Sequence, residues 1–325
     1  MVDEIRALPK VEIHVHLESS VEAETIAQLA ASLGEPMPRP AERLYTYTGL
    51  EDLLSTCEWW CDLFRTPEIA EQIAYSDAVR MAGDGIVYAE VMAGPRYWPH
   101  VPYRDLIPAI CAGFDRAADE GHTDCRLIPT ISRDQTGEWA EELVGWLSSN
   151  APPRVIGLGL DGDEEATGLN SAQFVRAYRQ AGELGLGLTA HAGESSGPDG
   201  VRDVIDLLGV QRVDHGARAI EDPALVERLA EQRMTLNMCP SSNVKLGIFP
   251  TLAEHPVGAM LAAGVPITIN RDDCLAVGIT LPGELADVGA SLGWTIDDIR
   301  AAQRRAIDAL FCDDSRAQEL RALVG

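Results

Sequence analysis

The sequence has few positive charges, and lysine in particular is almost missing. Its 325 residues contain 26 lysines and arginines against 51 aspartates and glutamates, which gives a formal net charge of −25. Only Lys10 and Lys245 are lysines. A surface this acidic repels nucleic acids and anionic lipid head groups, and it fits poorly with a highly phosphorylated substrate. The composition therefore argues against a nucleic-acid-binding protein and against a protein of the membrane surface.

Signals for secretion, membrane insertion and disulfide bonding are also absent. Residues 1–6 contain no apolar core of a signal peptide, and no apolar run is long enough to span a bilayer. The seven cysteines are odd in number and form no C-x-x-C pair. They are typical of reduced, mostly buried thiols, and not of a disulfide framework or a thiolate zinc site. The sequence predicts a cytoplasmic protein, and it leaves open whether the chain forms a homo-oligomer.

The apolar positions predict an α/β fold with eight strands. Short apolar runs alternate with stretches of helical periodicity, and no linker rich in glycine, serine or proline divides the chain. Eight such β–α steps are typical of a single (β/α)8 TIM-type barrel, here spanning residues 1–325. The helical segment from about 21 to 80 is predicted to be an insert that covers the active-site mouth. The predicted strands are 11–17, 86–92, 125–131, 155–160, 185–191, 212–215, 234–238 and 266–270.

Two histidines on the first predicted strand are the first candidate site residues. Alternating apolar residues in KVEIHVHLE at 10–18 predict a strand on which His14 and His16 project from the same face. Neutral imidazole is a common metal ligand, although an isolated pair of histidines also suits a core or a polar edge. The rest of the chain has to decide between these alternatives.

Reactive side chains follow most of the other predicted strands, in segments 162–164, 191–194, 214–216, 239–243 and 270–273. Catalytic residues of (β/α)8 barrels lie at the carboxyl ends of the strands, so these side chains are expected to converge. Three histidine nitrogens and one carboxylate oxygen match the donors of a catalytic zinc that keeps one position open for water. Taken alone, His191 also suits a capping role, and Asp272 and Asp273 suit the start of a helix. The candidate ligands are His14, His16, His191 and Asp272.

The order and spacing of the motifs resemble those of the adenosine deaminase family of metal-dependent aminohydrolases. The resemblance implies hydrolytic deamination of a 6-aminopurine to the 6-oxopurine with release of ammonia. It also implies one zinc ion per chain, bound by the four candidate ligands. The matching segments run nearly from end to end of the chain: LPKVEIHVH at 8–16, YAEV at 88–91, GDE at 162–164, HAGE at 191–194, RVDHG at 212–216, CPSSN at 239–243 and TINRDD at 268–273.

The resemblance further implies roles for residues beside the metal. Glu194 corresponds to the acid that protonates the purine N1 as the nucleophile attacks C6. His215 corresponds to the residue that orients or deprotonates the attacking water. Asp273 corresponds to the carboxylate that binds the purine N7, and Gly162 to a backbone amide near N3. These groups suit the reaction, because attack on C6 requires a nucleophile, a proton for the ring nitrogen and a proton for ammonia.

The family places an apolar lid helix after the first strand. Leu50, Leu53 and Leu54 recur at helical spacing here, so the resemblance implies that they line the pocket and exclude water from the reaction. Packing of this helix on the barrel is the alternative explanation for the same spacing.

The residues after the two histidines depart from the family pattern. Adenosine-specific members usually carry Leu-Asp-Gly, in which the aspartate contacts the ribose 5′-hydroxyl, whereas this chain has Leu17-Glu18-Ser19. The longer Glu18 displaces the carboxylate by more than hydrogen-bond geometry tolerates. Adenine deaminases carry glutamate at this position. Adenosine or 2′-deoxyadenosine remains the leading predicted substrate, and the alternatives are adenine and a 5′-modified adenosine such as aminodeoxyfutalosine.

Two other departures concern the second and fourth strands. Gly159 stands where the family often has aspartate, and Asp161 is a candidate to compensate for the loss. Met92 and Gly94 stand where many relatives have arginine and alanine. The residues RYW at 96–98 follow, and they suit either a stacking surface for the substrate or a surface loop. None of these departures changes a predicted metal ligand or proton-transfer group.

Two other functions compete with deamination. A barrel metallohydrolase with two metals bridged by a carboxylated lysine needs a lysine at a strand end, and neither Lys10 nor Lys245 is placed for it. A catalytically silent binding protein would need a damaged site, but the predicted ligands and proton-transfer groups are complete. The predicted partner is therefore a small-molecule purine, and neither nucleic acid nor a membrane. His100, His122 and His255 match no motif and are predicted to be surface or structural residues.

Overall fold

Eight parallel strands form a barrel at the centre of the fold. Each strand pairs in parallel with the next one in chain order. After the eighth strand, the Asp272 amide donates to His14 O over 3.2 Å, and the His16 amide donates to Asp272 O over 3.2 Å. These two bonds join the end of the sheet to its beginning. The strands are β1 (Lys10–His16), β2 (Ile86–Ala93), β3 (Asp124–Ser132), β4 (Gly157–Asp161), β5 (Gly187–Ala192), β6 (Arg212–His215), β7 (Thr235–Met238) and β8 (Ile267–Ile269).

The computed structural model describes residues 1–47 and 50–325, apart from the side chains of residues 50, 51, 53 and 54. The (β/α)8 barrel predicted from the sequence is confirmed, and every strand begins and ends within two residues of its prediction. The differences arise because ladder hydrogen bonds, and not apolar residues, define a strand end. Val155 makes only an isolated bridge with Leu127, so that β4 begins later than its apolar run.

Helices follow the strands and surround the barrel. The stretches of helical periodicity at 171–183, 200–208 and 222–232 form helices, with small shifts at their ends. In the described part of the chain, no helix combines the length and the apolar character needed to cross a membrane. The helices are α1 (Val2–Ala7), α2 (Ala23–Leu33), α3 (Leu50–Cys61), α4 (Pro67–Gly83), α5 (Tyr103–Asp119), α6 (Gly137–Asn150), α7 (Glu164–Thr167), α8 (Val175–Glu183), α9 (Pro198–Leu208), α10 (Pro223–Glu231), α11 (Pro240–Lys245), α12 (Val257–Ala262), α13 (Leu281–Leu292), α14 (Ile296–Asp308) and α15 (Asp314–Val324), with 3-10 helices at Ala41–Arg43, Pro95–Tyr97, Ser171–Phe174 and Ala217–Glu221.

The segment between β1 and β2 carries α2, α3 and α4. Of these, α4 packs closely on α5: a Cβ added at Gly113 would collide with Glu71 O. The Arg116 guanidinium lies 3.8 Å from the centre of the Tyr75 ring across the same contact. Helix α4 therefore takes the place of the first outer helix of the barrel, and α2 and α3 are additional to it. That these additional helices cover the mouth of the barrel stays a prediction.

Three buried basic side chains have backbone or carboxylate partners. Lys10 Nζ donates to the backbone oxygens of Ile5, in α1, and of Leu8, at the end of β1 opposite its carboxyl end. Arg271 Nε donates to Glu12 Oε2 over 2.6 Å. Arg212 Nη1 lies 2.6 Å from Glu90 Oε2. A buried charge is costly unless it is paired and hydrogen-bonded, so the loss of one partner would leave the other uncompensated.

Candidate active site

A cavity opens at the carboxyl ends of the strands. Its volume is about 280 Å³, near the lower limit of the roughly 300–1,000 Å³ that is usual for small-molecule sites. Its walls come from the ends of several strands and from the loops that follow β2, β7 and β8. Predicted residues that are far apart in the sequence thus meet at one place. The lining includes His16, Glu18, Gly162, His191, Glu194, His215, Asp272 and Asp273.

The four predicted metal ligands form a compact cluster beside the cavity. One donor atom from each of His14, His16, His191 and Asp272 lies within 4.8 Å of the other three. His16 Nε2 is 3.1 Å from His191 Nε2, and His14 Nε2 is 3.2 Å from Asp272 Oδ1. Zinc–ligand bonds of about 2.0–2.2 Å put neighbouring donors of a tetrahedral site roughly 3.3–3.6 Å apart. The cluster therefore fits a single zinc ion.

Two of the three histidine rings of the cluster are oriented by acceptors at their other nitrogen. His14 Nδ1 lies 3.0 Å from Asp214 Oδ1, and His191 Nδ1 lies 3.0 Å from Leu160 O. An acceptor at Nδ1 keeps the proton there and leaves Nε2 free to bind a metal. Burial and the neighbouring His14 hold the pKa of His191 well below its usual range, so that this ring stays neutral.

Cys239 lies beside the cluster but suits metal binding less well. Its sulfur falls within 4.8 Å of donor atoms of His14, His215 and Asp272. Burial raises the pKa of this thiol well above its usual range, and its Sγ donates to Asn237 O over 3.8 Å. Because the thiolate is the form that binds metals, the cluster with three histidines is the better zinc site.

The backbone turns into the left-handed region at two residues of the site. φ is +63° at His215 and +59° at Asp272. This conformation is uncommon for residues with a Cβ, and it is found most often at functional sites. At Asp272 the turn follows β8 directly, so that its carboxylate joins the cluster while Asp273 lines the cavity. Adjacent residues that would face opposite ways on a strand therefore both serve the site.

Glu194 and His215 face each other at the cavity wall. Glu194 Oε2 lies 3.7 Å from His215 Nε2. Burial and the nearby Asp272 raise the pKa of Glu194 well above its usual range. Burial lowers the pKa of His215 to about 4. The pair thus combines a carboxyl group that can donate a proton with a neutral imidazole.

Glu164 holds the loop that carries Glu194. Its Oε1 accepts from the Gly193 amide over 2.9 Å, and its Oε2 accepts from the Glu194 and Ser195 amides over 3.0 Å each. A carboxylate suits this place, because several backbone donors converge on it. The GDE motif therefore contributes a residue that fixes the backbone of the proposed acid.

Glu18 is held in the cavity wall by three donors. Its Oε1 accepts from the Gly94 amide and from Trp98 Nε1, each over 2.8 Å, and its backbone O accepts from Trp60 Nε1 over 3.1 Å. Its Oε2 is buried and has no hydrogen-bond partner among the described residues. Burial raises the pKa of Glu18 to about 7. One oxygen of this carboxyl group is thus satisfied by the protein, and the other is left for a ligand.

Asp161 is another carboxyl group that lines the cavity. Within the described residues, both of its side-chain oxygens are buried and accept no hydrogen bond. Burial raises the pKa of Asp161 to about 8. A Cβ at Gly159 would lie 3.1 Å from the Thr130 side chain, inside the barrel. Asp161 instead lines the cavity, so it does not fill the space of the side chain that Gly159 lacks.

The three side chains of residues 96–98 lie in different environments: on the surface, in the cavity lining and in the interior. Arg96 Nε lies 2.8 Å from Asp134 Oδ2, and both side chains are about half exposed. Tyr97 lines the cavity, whereas Trp98 is buried and donates to Glu18. The surface-loop explanation therefore holds for Arg96, and Tyr97 is the aromatic residue that a ligand would meet.

The predicted apolar lid lies only partly within the described residues. The side chains of Leu50, Leu53 and Leu54 lie outside them, so their place in the pocket stays a prediction. Their helix, α3, does reach the site, because Cys57 lines the cavity.

The sequence predicted no role in the site for Asn243, which contacts both predicted proton-transfer groups, or for His255, which contacts Asn243. Asn243 Nδ2 donates to Glu194 Oε1 over 3.2 Å, and it lies 3.2 Å from His215 Nδ1. His255, predicted to be a surface or structural residue, is buried and lies 3.3 Å from Asn243 Oδ1. The CPSSN motif was a signal for Asn243, but no motif contains His255.

The chain is similar to known deaminases over almost its whole length. The profile of the adenosine deaminase family matches residues 9–325. The adenine deaminase of Rhodospirillum rubrum is 35% identical over 328 residues, which cover 98% of this chain and 96% of that protein. The aminodeoxyfutalosine deaminase of Acidothermus cellulolyticus is 32% identical over 332 residues, which cover 98% of this chain and 92% of that protein.

A similar protein of known structure was crystallised with a metal ion. An amidohydrolase from Burkholderia ambifaria, crystallised with bound zinc, has a TM-score of 0.91 and 30% identity, with 99% of this chain and 91% of that chain covered. The barrel, the His/Asp cluster and these relatives agree on a metal-dependent hydrolytic deaminase that cleaves a C–N bond. The chain belongs to the adenosine deaminase family.

Proposed function

We propose that this deaminase acts on adenine and converts it to hypoxanthine and ammonia. The observation that carries the proposal is Glu18, whose Oε2 is buried without a partner in the described part of the chain. Free adenine has an N9–H donor, which adenosine lacks because its ribose is attached there. A buried acceptor left unpaired costs about 1–3 kcal/mol, so adenosine in the same orientation is disfavoured. The similarity to adenine deaminases supports the same substrate.

The proposed orientation of adenine uses one protein group for each ring nitrogen. Glu194 lies at N1, and the Gly162 amide near N3. Asp273 donates to N7 from its protonated carboxyl group, which is consistent with its pKa being raised by burial and by Asp272. Glu18 Oε2 accepts from N9–H. This assignment gives each ring nitrogen of the base a partner of the complementary type.

The proposed reaction adds water to C6 and removes the amino group. Glu194 gives a proton to N1 as the water oxygen bonds to C6, and His215 holds the attacking water. One proton of the water returns Glu194 to its acid form. The other passes to the amino nitrogen, the C6–N bond breaks and ammonia leaves. Each transfer needs a group within hydrogen-bond reach, which the side chains around the cavity can supply.

The proposed reaction uses a metal ion, for which the chain offers four ligands. His14, His16, His191 and Asp272 would hold zinc, which lowers the pKa of a coordinated water towards neutrality. Asp214 and Leu160 O orient two of the histidine rings, as they must be oriented for a metal at Nε2.

Aminodeoxyfutalosine, a 5′-modified adenosine, is the second candidate substrate. The relative from Acidothermus cellulolyticus supports it, and Tyr97 offers an aromatic surface to a substituent beyond the base. Adenosine and 2′-deoxyadenosine were the leading substrates predicted from the sequence. They rank lower as candidate substrates here because they have no N9–H to donate to Glu18. A cytoplasmic location remains part of the proposal, and the seven unpaired cysteines support it.

The test is a comparison of kcat/KM across purines by ammonia release. Adenine, 9-methyladenine, adenosine, 2′-deoxyadenosine and aminodeoxyfutalosine are the substrates. The matched control is 9-methyladenine, which lacks only the N9–H. Adenine should exceed it by about 10- to 100-fold, the equivalent of one lost buried hydrogen bond. A higher kcat/KM for aminodeoxyfutalosine would favour the second candidate, and no ammonia from any of these compounds would refute the proposal.

A further inference from the structure

His255 is a buried histidine between β7 and α12 with two hydrogen-bond contacts, one at each ring nitrogen. Only 5% of the surface of His255 is exposed to solvent. The Val257 amide donates to its Nδ1 over 3.3 Å, and its Nε2 lies 3.3 Å from Asn243 Oδ1. It contacts no predicted metal ligand in these hydrogen bonds. Asn243, the side chain that it contacts in these hydrogen bonds, also contacts both proposed proton-transfer groups.

The contacts of His255 fix which nitrogen carries its proton. A backbone N–H can only donate, so Nδ1 accepts from Val257 and carries no proton. A neutral imidazole then has its proton on Nε2, which faces Asn243 Oδ1. Burial, together with His215, lowers the pKa of His255 to about 4, which is consistent with the neutral ring.

The orientation of the Asn243 amide follows from this proton. Because His255 Nε2 donates to Oδ1, the amide group Nδ2 points the other way, with two protons to give. It donates to Glu194 Oε1 over 3.2 Å, and it lies 3.2 Å from His215 Nδ1. His215 Nδ1 is therefore an acceptor, and the proton of the neutral His215 ring is on Nε2.

The opposite orientation of Asn243 would place an acceptor against two acceptors. Its Oδ1 would then face Glu194 Oε1 and His215 Nδ1 at the same distances. To remove the conflict between Asn243 Oδ1 and His215 Nδ1, the His215 proton would have to move from Nε2 to Nδ1. It would then no longer face Glu194 Oε2 and Asp272 Oδ2, which lie 3.7 and 3.9 Å from Nε2. The proton on His255 thus selects one hydrogen-bond pattern for the whole chain of contacts.

We propose that His255 is a positioning residue that acts through Asn243 on both proton-transfer groups. It keeps the His215 proton on Nε2, facing the reaction, and it engages Glu194 Oε1 so that Oε2 remains free to transfer a proton. The inference rests on the proposed roles of Glu194 and His215. It decides between the two roles implied for His215: a ring with its proton on Nε2 orients the attacking water as a donor and does not remove a proton from it.

Three substitutions at His255 separate this role from simple packing. His255→Phe keeps the ring that packs edge-on to Phe249 at a centroid distance of 4.8 Å, but it cannot donate to Asn243. We expect kcat for adenine to fall by roughly tenfold or more with KM nearly unchanged. His255→Gln can donate to Asn243 and accept from Val257, so it should regain activity, whereas the shorter His255→Asn should not. His122→Phe, at a histidine outside the cavity lining, is the matched control and should keep wild-type kcat.

The second measurement is the His215 tautomer, read from the ring nitrogen shifts of the zinc-loaded protein labelled with 15N-histidine. The wild-type enzyme should show protonated Nε2 at His215, and His255→Phe should shift the population towards protonated Nδ1. Protonated Nδ1 in the wild type, or an unchanged kcat in His255→Phe, would overturn the inference. If His255→Phe does not fold, the wild-type spectrum and the Gln/Asn pair decide. An enzyme that deaminates no purine would refute the proposed function while leaving the tautomer measurable.

Discussion

His14 Nδ1 lies 3.0 Å from Asp214 Oδ1, although the two residues are 200 positions apart in the sequence. Both side chains are fully buried. Asp214 also accepts from Thr189 Oγ1 over 2.6 Å and from Asn237 Nδ2 over 2.8 Å. Although burial alone raises the pKa of Asp214, the neighbouring His14 holds it well below its usual range. The carboxylate therefore stays ionised and keeps the His14 proton on Nδ1, opposite the metal cluster.

Replacing Asp214 by asparagine should weaken zinc binding by about 10- to 100-fold, because the neutral amide no longer fixes the tautomer and basicity of His14. Competition with a chelator of known zinc affinity measures the change. Asp199→Asn, at a side chain that is 79% exposed, is the matched control and should leave zinc affinity unaltered. Wild-type zinc affinity in Asp214→Asn would mean that the His14–Asp214 contact does not support the metal.

Removing zinc with a chelator should abolish deamination and lower the thermal midpoint, because the four ligands would lose the ion that binds only the folded chain. One equivalent of zinc per chain should restore both. Metal analysis of the reactivated enzyme provides the count. If full activity needed two equivalents, a binuclear hydrolase would be favoured instead. Such an enzyme needs a lysine between its metals, whereas Lys10 donates to backbone oxygens at the opposite end of β1.

Arg271 and Glu12 form a buried pair next to Asp272, a predicted metal ligand, and we expect the stability of the fold to depend on this pair. Arg271 Nε and its amide both donate to Glu12, over 2.6 and 3.0 Å. Arg271→Met should lower the free energy of unfolding by about 3–5 kcal/mol, because Glu12 would be left buried and unpaired. Urea unfolding measures this. The control Arg300→Met removes an exposed pair with Asp297 and should change the value by less than about 1 kcal/mol.

The fold and the convergence of the candidate site residues were predictable from the sequence because both follow local patterns. Each strand is a short apolar run, and His16, His191, His215 and Asp272 lie within three residues of the end of such a strand. The contacts that orient these residues were not predictable. Trp98 and Glu18 are 80 positions apart, and the pairing depends on where the loop after β2 folds back. Periodicity carries no information on such contacts between distant loops.

The contact of His255 with Asn243 is another that the sequence could not predict. His255 is only 12 positions from Asn243, yet neither lies in a regular pattern that would predict their contact. The expectation that it was surface or structural followed from its place outside every motif. The left-handed backbone of Asp272 was likewise invisible, because only the fold reveals that a non-glycine residue is held at φ +59°.

Glu18→Asp should raise kcat/KM for adenosine relative to adenine. The shorter side chain withdraws the carboxylate from the cavity and weakens its acceptance from N9–H, while leaving more room beside that nitrogen. Steady-state kinetics on the two substrates measure the ratio. Trp98→Phe, which removes one donor from Glu18 Oε1 and keeps an aromatic ring, should move the ratio in the same direction by a smaller factor. An unchanged ratio in Glu18→Asp would show that Glu18 does not select the substrate.

Glu194→Gln should retain zinc and lose turnover. The substitution keeps the shape of the side chain and leaves all four metal ligands in place, but an amide cannot give a proton to N1. A group that transfers a proton in the transition state contributes about 10²–10⁴-fold, so kcat should fall by that factor with zinc content near one per chain. Glu165→Gln, at another acidic residue of the cavity lining, is the matched control and should keep most of the activity. Near-normal turnover in Glu194→Gln would remove Glu194 from the mechanism, and a loss of zinc in the same variant would make its effect structural.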